Sequence, residues 1–160
     1  VFMIEKLLAL GANPNAKNDR GCLPVHFAIH SHMHNALALL VESPCHLKVK
    51  DSHNWNLFHW AAVYNTPEAI DYLSLHPKAP AVNEAVGENM TALKIAYLNR
   101  SWHAIGSLVR SSKLDLSDPV YGTDFLNDLR DSLMDKNQED HGISNEVKEI
   151  LNTELENREP

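Results

Sequence analysis

The sequence predicts an all-α solenoid of stacked helix-turn-helix units, closed by a degenerate helical C-terminal cap. Three observations carry that expectation. The phrase Leu23-Pro24-Val25-His26-Phe27-Ala28 returns as Asn56-Leu57-Phe58-His59-Trp60-Ala61 after 33 residues, and as Thr91-Ala92-Leu93-Lys94-Ile95-Ala96 after 35 more. A second phrase, Ile4-x-x-Leu7-Leu8, recurs as Leu37-x-x-Leu40-Val41, Ile70-x-x-Leu73-Ser74 and Ile105-x-x-Leu108-Val109, at steps of 33, 33 and 35. Helix stops then follow the second phrase at Gly11, Pro44 and Pro77. Two phrases that drift by the same two residues at the same place mark a repeat array.

Taken in chain order, the first segment opens inside an amphipathic pattern, with Ile4, Leu7 and Leu8 at helical spacing before Gly11. It reads as the second half of a unit and as part of a longer protein. Each later unit is a short helix, a tight turn, a second helix and an extended loop. Pro24 suits the first turn of its helix because its missing N–H would be unpaired there anyway. Asn56 and Thr91 are expected N-caps, since a side-chain oxygen satisfies the first free amides, whereas Leu23 cannot do this and leaves unit one a weaker start. Ala28, Ala61 and Ala96 provide small side chains where helices approach. At the tips, Gly21 aligns with Asn54 and Asn89, residues that tolerate the left-handed backbone of a tight turn.

The last fifty residues are less regular. A step of 33 from Asn89 reaches Gly122, and from Leu93 reaches Leu126. The expected fourth unit has Asp124 as N-cap and Phe125, Leu126, Leu129 and Leu133 as its apolar stripe. A polar insertion, Lys136 to Ser144, precedes a second helix on Val147-x-x-Ile150-Leu151. The remaining face, with Glu146, Lys148, Glu149, Asn152, Glu154 and Glu156, suits a terminal unit that has no neighbour to cover it.

These phrases resemble the ankyrin repeat, whose pattern joins a Thr-Pro-Leu-His-x-Ala start to a Val-x-x-Leu-Leu-x-x-Gly-Ala-x-x-Asn finish. Leu7-Leu8-Ala9-Leu10-Gly11-Ala12-Asn13-Pro14-Asn15 matches that finish, and Asn18-Asp19-Arg20-Gly21 matches the opening turn. The resemblance covers roughly residues 1–110. It divides the chain into a partial repeat over 1–17, repeats over 18–50, 51–83 and 84–117, and a capping repeat over 118–160. It also implies that His26 and His59 are structural, their imidazoles bonding backbone groups and tying adjacent units together. Lys94 replaces that histidine in unit three, and an ammonium lacks the acceptor half of the role. The seam to the fourth unit is therefore expected to be looser or wetter.

Composition narrows the function classes. The chain has 160 residues, with 44% hydrophobic and 22% charged, which fits a folded protein and excludes wholesale disorder. Fourteen Lys and Arg against 21 Asp and Glu give a net charge of −7, a poor match to nucleic acid, which requires a positive field. The longest apolar run, Ala36 to Val41, is six residues, far below the roughly 20 of a membrane span. Two cysteines make no disulfide framework and suggest an intracellular setting, cytoplasmic or host-cytoplasmic if the chain is a bacterial effector.

Signals of chemistry are outweighed by structural readings. His26, His30, His32 and His34 cluster in sequence, and His26 with His30 has zinc-ligand spacing. His26 is however committed by the resemblance, His32 falls at the turn and His34 opens the second helix. Cys45 sits in a small-residue slot where an inert thiol is expected, and Cys22 lies in the opening turn with more exposure expected. Asp115, Asp118, Asp124, Asp128 and Asp131 read as caps and a solvated face. No nucleophile elbow, phosphate loop or Cys-x-x-Cys is present. The chain is read as a non-enzyme with no cofactor, no metal and no small-molecule substrate.

The expected function is interaction with a protein or extended peptide on the concave face made by turn tips and first helices. By the resemblance, the contact positions are Asp19, Arg20, Cys22, His30 and Ser31 in unit one. In unit two they are Ser52, His53, Trp55, Val63 and Tyr64, and in unit three Gly87, Glu88, Met90, Leu98 and Asn99. Trp60 is added because it lies between His59 and Ala61 and can reach the groove, whereas Trp102 is expected to pack at the start of a second helix. Trp55 and Tyr64 form the centre, because aromatic anchors dominate interface energy. The rival expectation is a regulatory or targeting segment of a larger enzyme, a signalling protein or bacterial effector.

Overall fold

The computed structural model describes residues 2–134 and 143–158. Helix α1 (Phe2–Ala9) precedes three pairs: α2 (Pro24–His30) with α3 (His34–Glu42), α4 (Leu57–Val63) with α5 (Pro67–Leu75), and α6 (Ala92–Leu98) with α7 (Trp102–Arg110). A last pair follows, α8 (Thr123–Met134) and α9 (Asn145–Glu156). No strand occurs among the described residues beyond an isolated bridge between Val86 and Met90. The expected polar insertion lies, but for its last residues, outside the described residues.

Helix pairs stack in two layers. In one, α2 packs on α4 and α4 on α6; in the other, α1, α3, α5 and α7 follow one another. Packing α9 against α7 extends the second layer. The layers are glued by a continuous core in which Leu57, Phe58, Ile70, Leu73, Leu93, Ile105 and Leu108 are fully buried. Ala61 and Ala96 are fully buried and Ala28 nearly so, which keeps successive first helices close.

Local chemistry starts the first helices of units two and three as the residue types require. Asn56 Oδ1 accepts the amides of Phe58 (2.9 Å) and His59 (3.3 Å), and Thr91 Oγ1 accepts that of Lys94 (3.3 Å). Leu23 offers no side-chain cap; its own N–H donates to His26 Nδ1 at 3.0 Å, with Pro24 in the first turn. The tips are left-handed at Gly21, Asn54 and Asn89, with φ of 73°, 62° and 57°. Gly21 is constrained twice, since a Cβ there would also stand 3.3 Å from the Ser52 amide of the next tip. A second left-handed series, His32, Asn65 and Arg100, with φ of 52°, 49° and 53°, makes the turn inside each pair.

Side chains bridge unit to unit. Asn15 accepts the His46 amide (2.7 Å) and donates to the Pro44 carbonyl (2.8 Å). Asn56 Nδ2 donates to Ala81 O (3.1 Å) and Glu84 Oε2 (2.8 Å), and Lys50 closes on the other Glu84 oxygen. Burial alone would raise the Glu84 pKa, but the bonds from Lys50 and Asn56 outweigh it and hold the carboxyl below its usual range. Between units three and four, Lys94 Nζ lies 5.6 Å over the Phe125 ring, and Tyr97 meets the same ring edge-on at 5.6 Å. The lysine thus replaces the histidine's hydrogen bond with a cation–π contact.

Three expectations are corrected. Asp124 is not the N-cap: the helix begins at Thr123, and Gly122 O accepts the first helical bond, from Leu126 at 3.2 Å. Asp124 lies in the first turn instead, where its charge suits the positive helix end. Cys22 is buried rather than exposed, because the tip of unit two folds over it. Burial and the nearby Asp51 push its thiol pKa up, and burial does the same to Cys45.

His26 departs from the role the resemblance implies. His59 performs the tie implied by the resemblance: Nδ1 accepts the Asn56 amide (3.2 Å) and Nε2 reaches Met90 O of the next unit at 3.3 Å. His26 repeats only the first half. Its Nε2 is buried without a hydrogen-bond partner, and its ring instead meets the Trp60 indole edge-to-face with centroids 5.0 Å apart. At the position of Trp60, unit three carries Ile95, which does not crowd His59 in this way.

Candidate interaction surface

The site begins with a turn. Asp51 opens the tip of unit two, and its Oδ1 accepts the amides of His53 (2.8 Å) and Trp55 (2.9 Å). Its Oδ2 accepts Trp60 Nε1 at 3.0 Å. One carboxylate therefore fixes both the tip loop and an indole on α4. The His53 ring, exposed, approaches Oδ2 with Nδ1 at 3.8 Å.

Three aromatic side chains gather beside it. Trp60 and Tyr64 lie with centroids 5.5 Å apart and planes tilted by 43°. Each is backed by a histidine: Trp60 by His26, and Tyr64 by His30 at 4.5 Å in a T-shaped contact. Trp55 stacks along His59 at 6.3 Å. All three are half-buried. They line an open hollow of about 350 Å³ together with Asp51, His53, Cys22 and Arg20.

Of the residues expected to contact a partner, the fold brings Arg20, Cys22, His53, Trp55, Trp60 and Tyr64 around one hollow. His30 stands behind Tyr64 and is itself exposed. Asp19 is exposed on the neighbouring tip, and Glu88 is exposed on the tip of unit three. Val63 is half-buried against the core, and Met90 is half-buried with its carbonyl taken by His59. None of these five lines the hollow. Asp51 is the member that residue patterns missed. Its signal was the alignment with Asn18, which holds the preceding tip through the same two bonds, to Arg20 N (3.0 Å) and Cys22 N (2.9 Å).

A more apolar hollow of about 420 Å³ lies between α1, α2 and α3, bounded by Ile4, Leu7, Leu8, Phe27, Met33 and Leu40. Of the expected contact residues it includes Ser31 alone. Among the described residues no group of three His, Cys, Asp or Glu side chains is placed to hold a metal ion. No helix there is long and apolar enough to cross a membrane.

The family model for ankyrin repeats, in three copies, matches residues 2–85. No curated protein matches the chain.

Proposed function

The chain belongs to the ankyrin repeat family, and from that premise we propose that it binds an intracellular protein or extended peptide across a concave face centred on Trp55 and Tyr64. Ankyrin repeats are in general protein–protein interaction modules and typically non-catalytic. The observation that supports this centre is the cluster of three half-buried aromatic rings around an open hollow, each braced by a histidine from behind. Braced rings lose little freedom on binding, and buried aromatic anchors commonly contribute more than about 2 kcal/mol each. Asp19, Arg20 and His53 are exposed beside the hollow and offer hydrogen bonds to a main chain. Arg20 suits an acidic group and Glu88, one unit along, a basic one, which would orient the bound segment. The unpaired, buried thiols of Cys22 and Cys45 fit a reducing compartment.

The test is capture from a cell lysate by the wild-type chain and by Trp55→Ala, compared band by band. The variant should lose the specific bands while its melting point falls by no more than a few degrees, since Trp55 is only half-buried. A folded variant that retains every band, or a wild-type chain that retains none, would sink the assignment.

A further inference from the structure

We propose that the hollow of unit two receives a cation without free N–H donors, namely the methylated ammonium of a lysine side chain carried by the partner. This rests on the partner-binding reading above and specifies the group that the partner inserts.

In unit one the tip turn is held by Asn18, through the same pair of amide bonds that Asp51 makes in unit two. A neutral amide therefore suffices for the turn. What the carboxylate adds is a second oxygen, bonded to Trp60, and a negative charge. The Asp51 side chain is 4% exposed, and among the described residues no Lys or Arg forms an ion pair with it. The buried charge is met by N–H donors and by the His53 ring rather than by a Lys or Arg ion pair, and a cation at the mouth of the hollow adds attraction to it.

The wall of the hollow is aromatic. Aromatic faces are negative and attract a cation placed over them. Trp55, Trp60 and Tyr64 all line the hollow, three aromatic rings in unit two alone. The aligned positions hold Cys22, Phe27 and Ser31 in unit one, and Met90, Ile95 and Asn99 in unit three. The rings are preorganised by His59, His26 and His30 respectively.

Hydrogen bonding selects the kind of cation. Asp51 already accepts three N–H bonds, so it has little acceptor capacity left for an ordinary ammonium. A primary ammonium entering the hollow would give up water without replacing its hydrogen bonds. A methylated one has fewer donors, or none, to satisfy. Arg20 lies on the rim and opposes any cation by like charge. It is placed to pair with an acidic residue beside the methylated lysine in the partner.

The experiment titrates the whole chain with Nα-acetyl-trimethyl-lysine amide, with its unmethylated counterpart, and with the neutral carbon isostere of the trimethylated compound. Tryptophan fluorescence and amide chemical shifts are followed at constant ionic strength. The trimethylated probe should saturate and bind at least tenfold tighter than either control, with shifts confined to the tip of unit two and the end of α4. Asp51→Asn keeps the two turn bonds, as Asn18 does, but sets an NH2 against the Trp60 indole N–H, so it should fold, melt a few degrees below wild type and weaken the probe at least fivefold. Tyr64→Leu should weaken it similarly, and it decides the matter if Asp51→Asn fails to fold. Arg20→Ala should bind the probe at least as tightly as wild type. Equal affinity for cation and isostere, wild-type affinity in either folded variant, or no saturable signal overturns the proposal. Since these titrations need no partner, their failure beside an intact Trp55→Ala capture result removes the cage and leaves the interaction face standing.

Discussion

His26 and His59 occupy the same position in successive units, yet only one finds both of its partners. The difference lies in a residue from the following unit, Trp60 against Ile95, and so belongs to tertiary context rather than to the histidine itself. Both rings are held neutral: burial pushes the His26 pKa down from 6.5 to about 4 and lowers that of His59 as well. An unfolded histidine takes up its proton near 6.5, so below that pH the unfolded chain binds more protons than the folded one. Stability from these groups is therefore complete above pH 6.5 and is lost as pH falls toward the folded value. At pH 5 the loss from His26 alone is about 2 kcal/mol, at about 1.4 kcal/mol per unit. Urea denaturation at pH 7.5 and pH 5 measures it, and His26→Gln should flatten the slope between them. A wild-type chain equally stable at both pH values would contradict the buried, neutral assignment.

At the scale of the element, each helix pair turns through a left-handed residue, and the chain places His32, Asn65 and Arg100 there. Asn65 justifies itself, since Oδ1 accepts the Ala104 amide at 3.0 Å. Arg100 is exposed, and a non-glycine residue in this region costs about 1–2 kcal/mol. Glycine removes that cost but gives back about 0.5–1 kcal/mol as backbone entropy. Arg100→Gly should therefore stabilise the chain by roughly 0.5–1 kcal/mol, a rise of about 2–4 °C per kcal/mol for a domain of this size. An unchanged or lower melting point would show that Arg100 makes a contact worth as much as the strain. The helices and tips were legible in the sequence because spacing and turn chemistry act locally: Asn56 and Thr91 cap where their side chains dictate. Gly122 displaced Asp124 because a cap is set by where the first helical bond forms, which a composition pattern places only to within a residue or so. Cys22 and Asp51 were not legible in full. The burial of the one depends on the tip of the next unit. The second bond of the other depends on an indole nine residues later, across a helix start.

The whole molecule is a stack in which each pair touches chiefly its neighbours, so stability is close to a sum of unit and seam contributions. That makes the C-terminal pair decisive for what lies beneath it. Leu126, Leu129, Val147 and Leu151 are fully buried in this last layer, while Asp124, Asp128, Glu146 and Glu149 face outward. Arg158 fastens it by donating to the carbonyls of Tyr121 (2.5 Å) and Leu116 and pairing with Glu154 at 3.0 Å. Leu151→Ala removes a side chain with no exposed surface and should cost about 2–4 kcal/mol. In a nearest-neighbour stack that cost falls first on α8 and α9, and reaches α4 and α5 only through the seams between. Native-state hydrogen exchange is the measurement: amides of α8 and α9 should lose protection by the full amount, those of α4 and α5 by much less. Uniform loss along the chain would mean that the units unfold as one cooperative block. The aromatic hollow on unit two would then be only as stable as the cap at the far end of the chain.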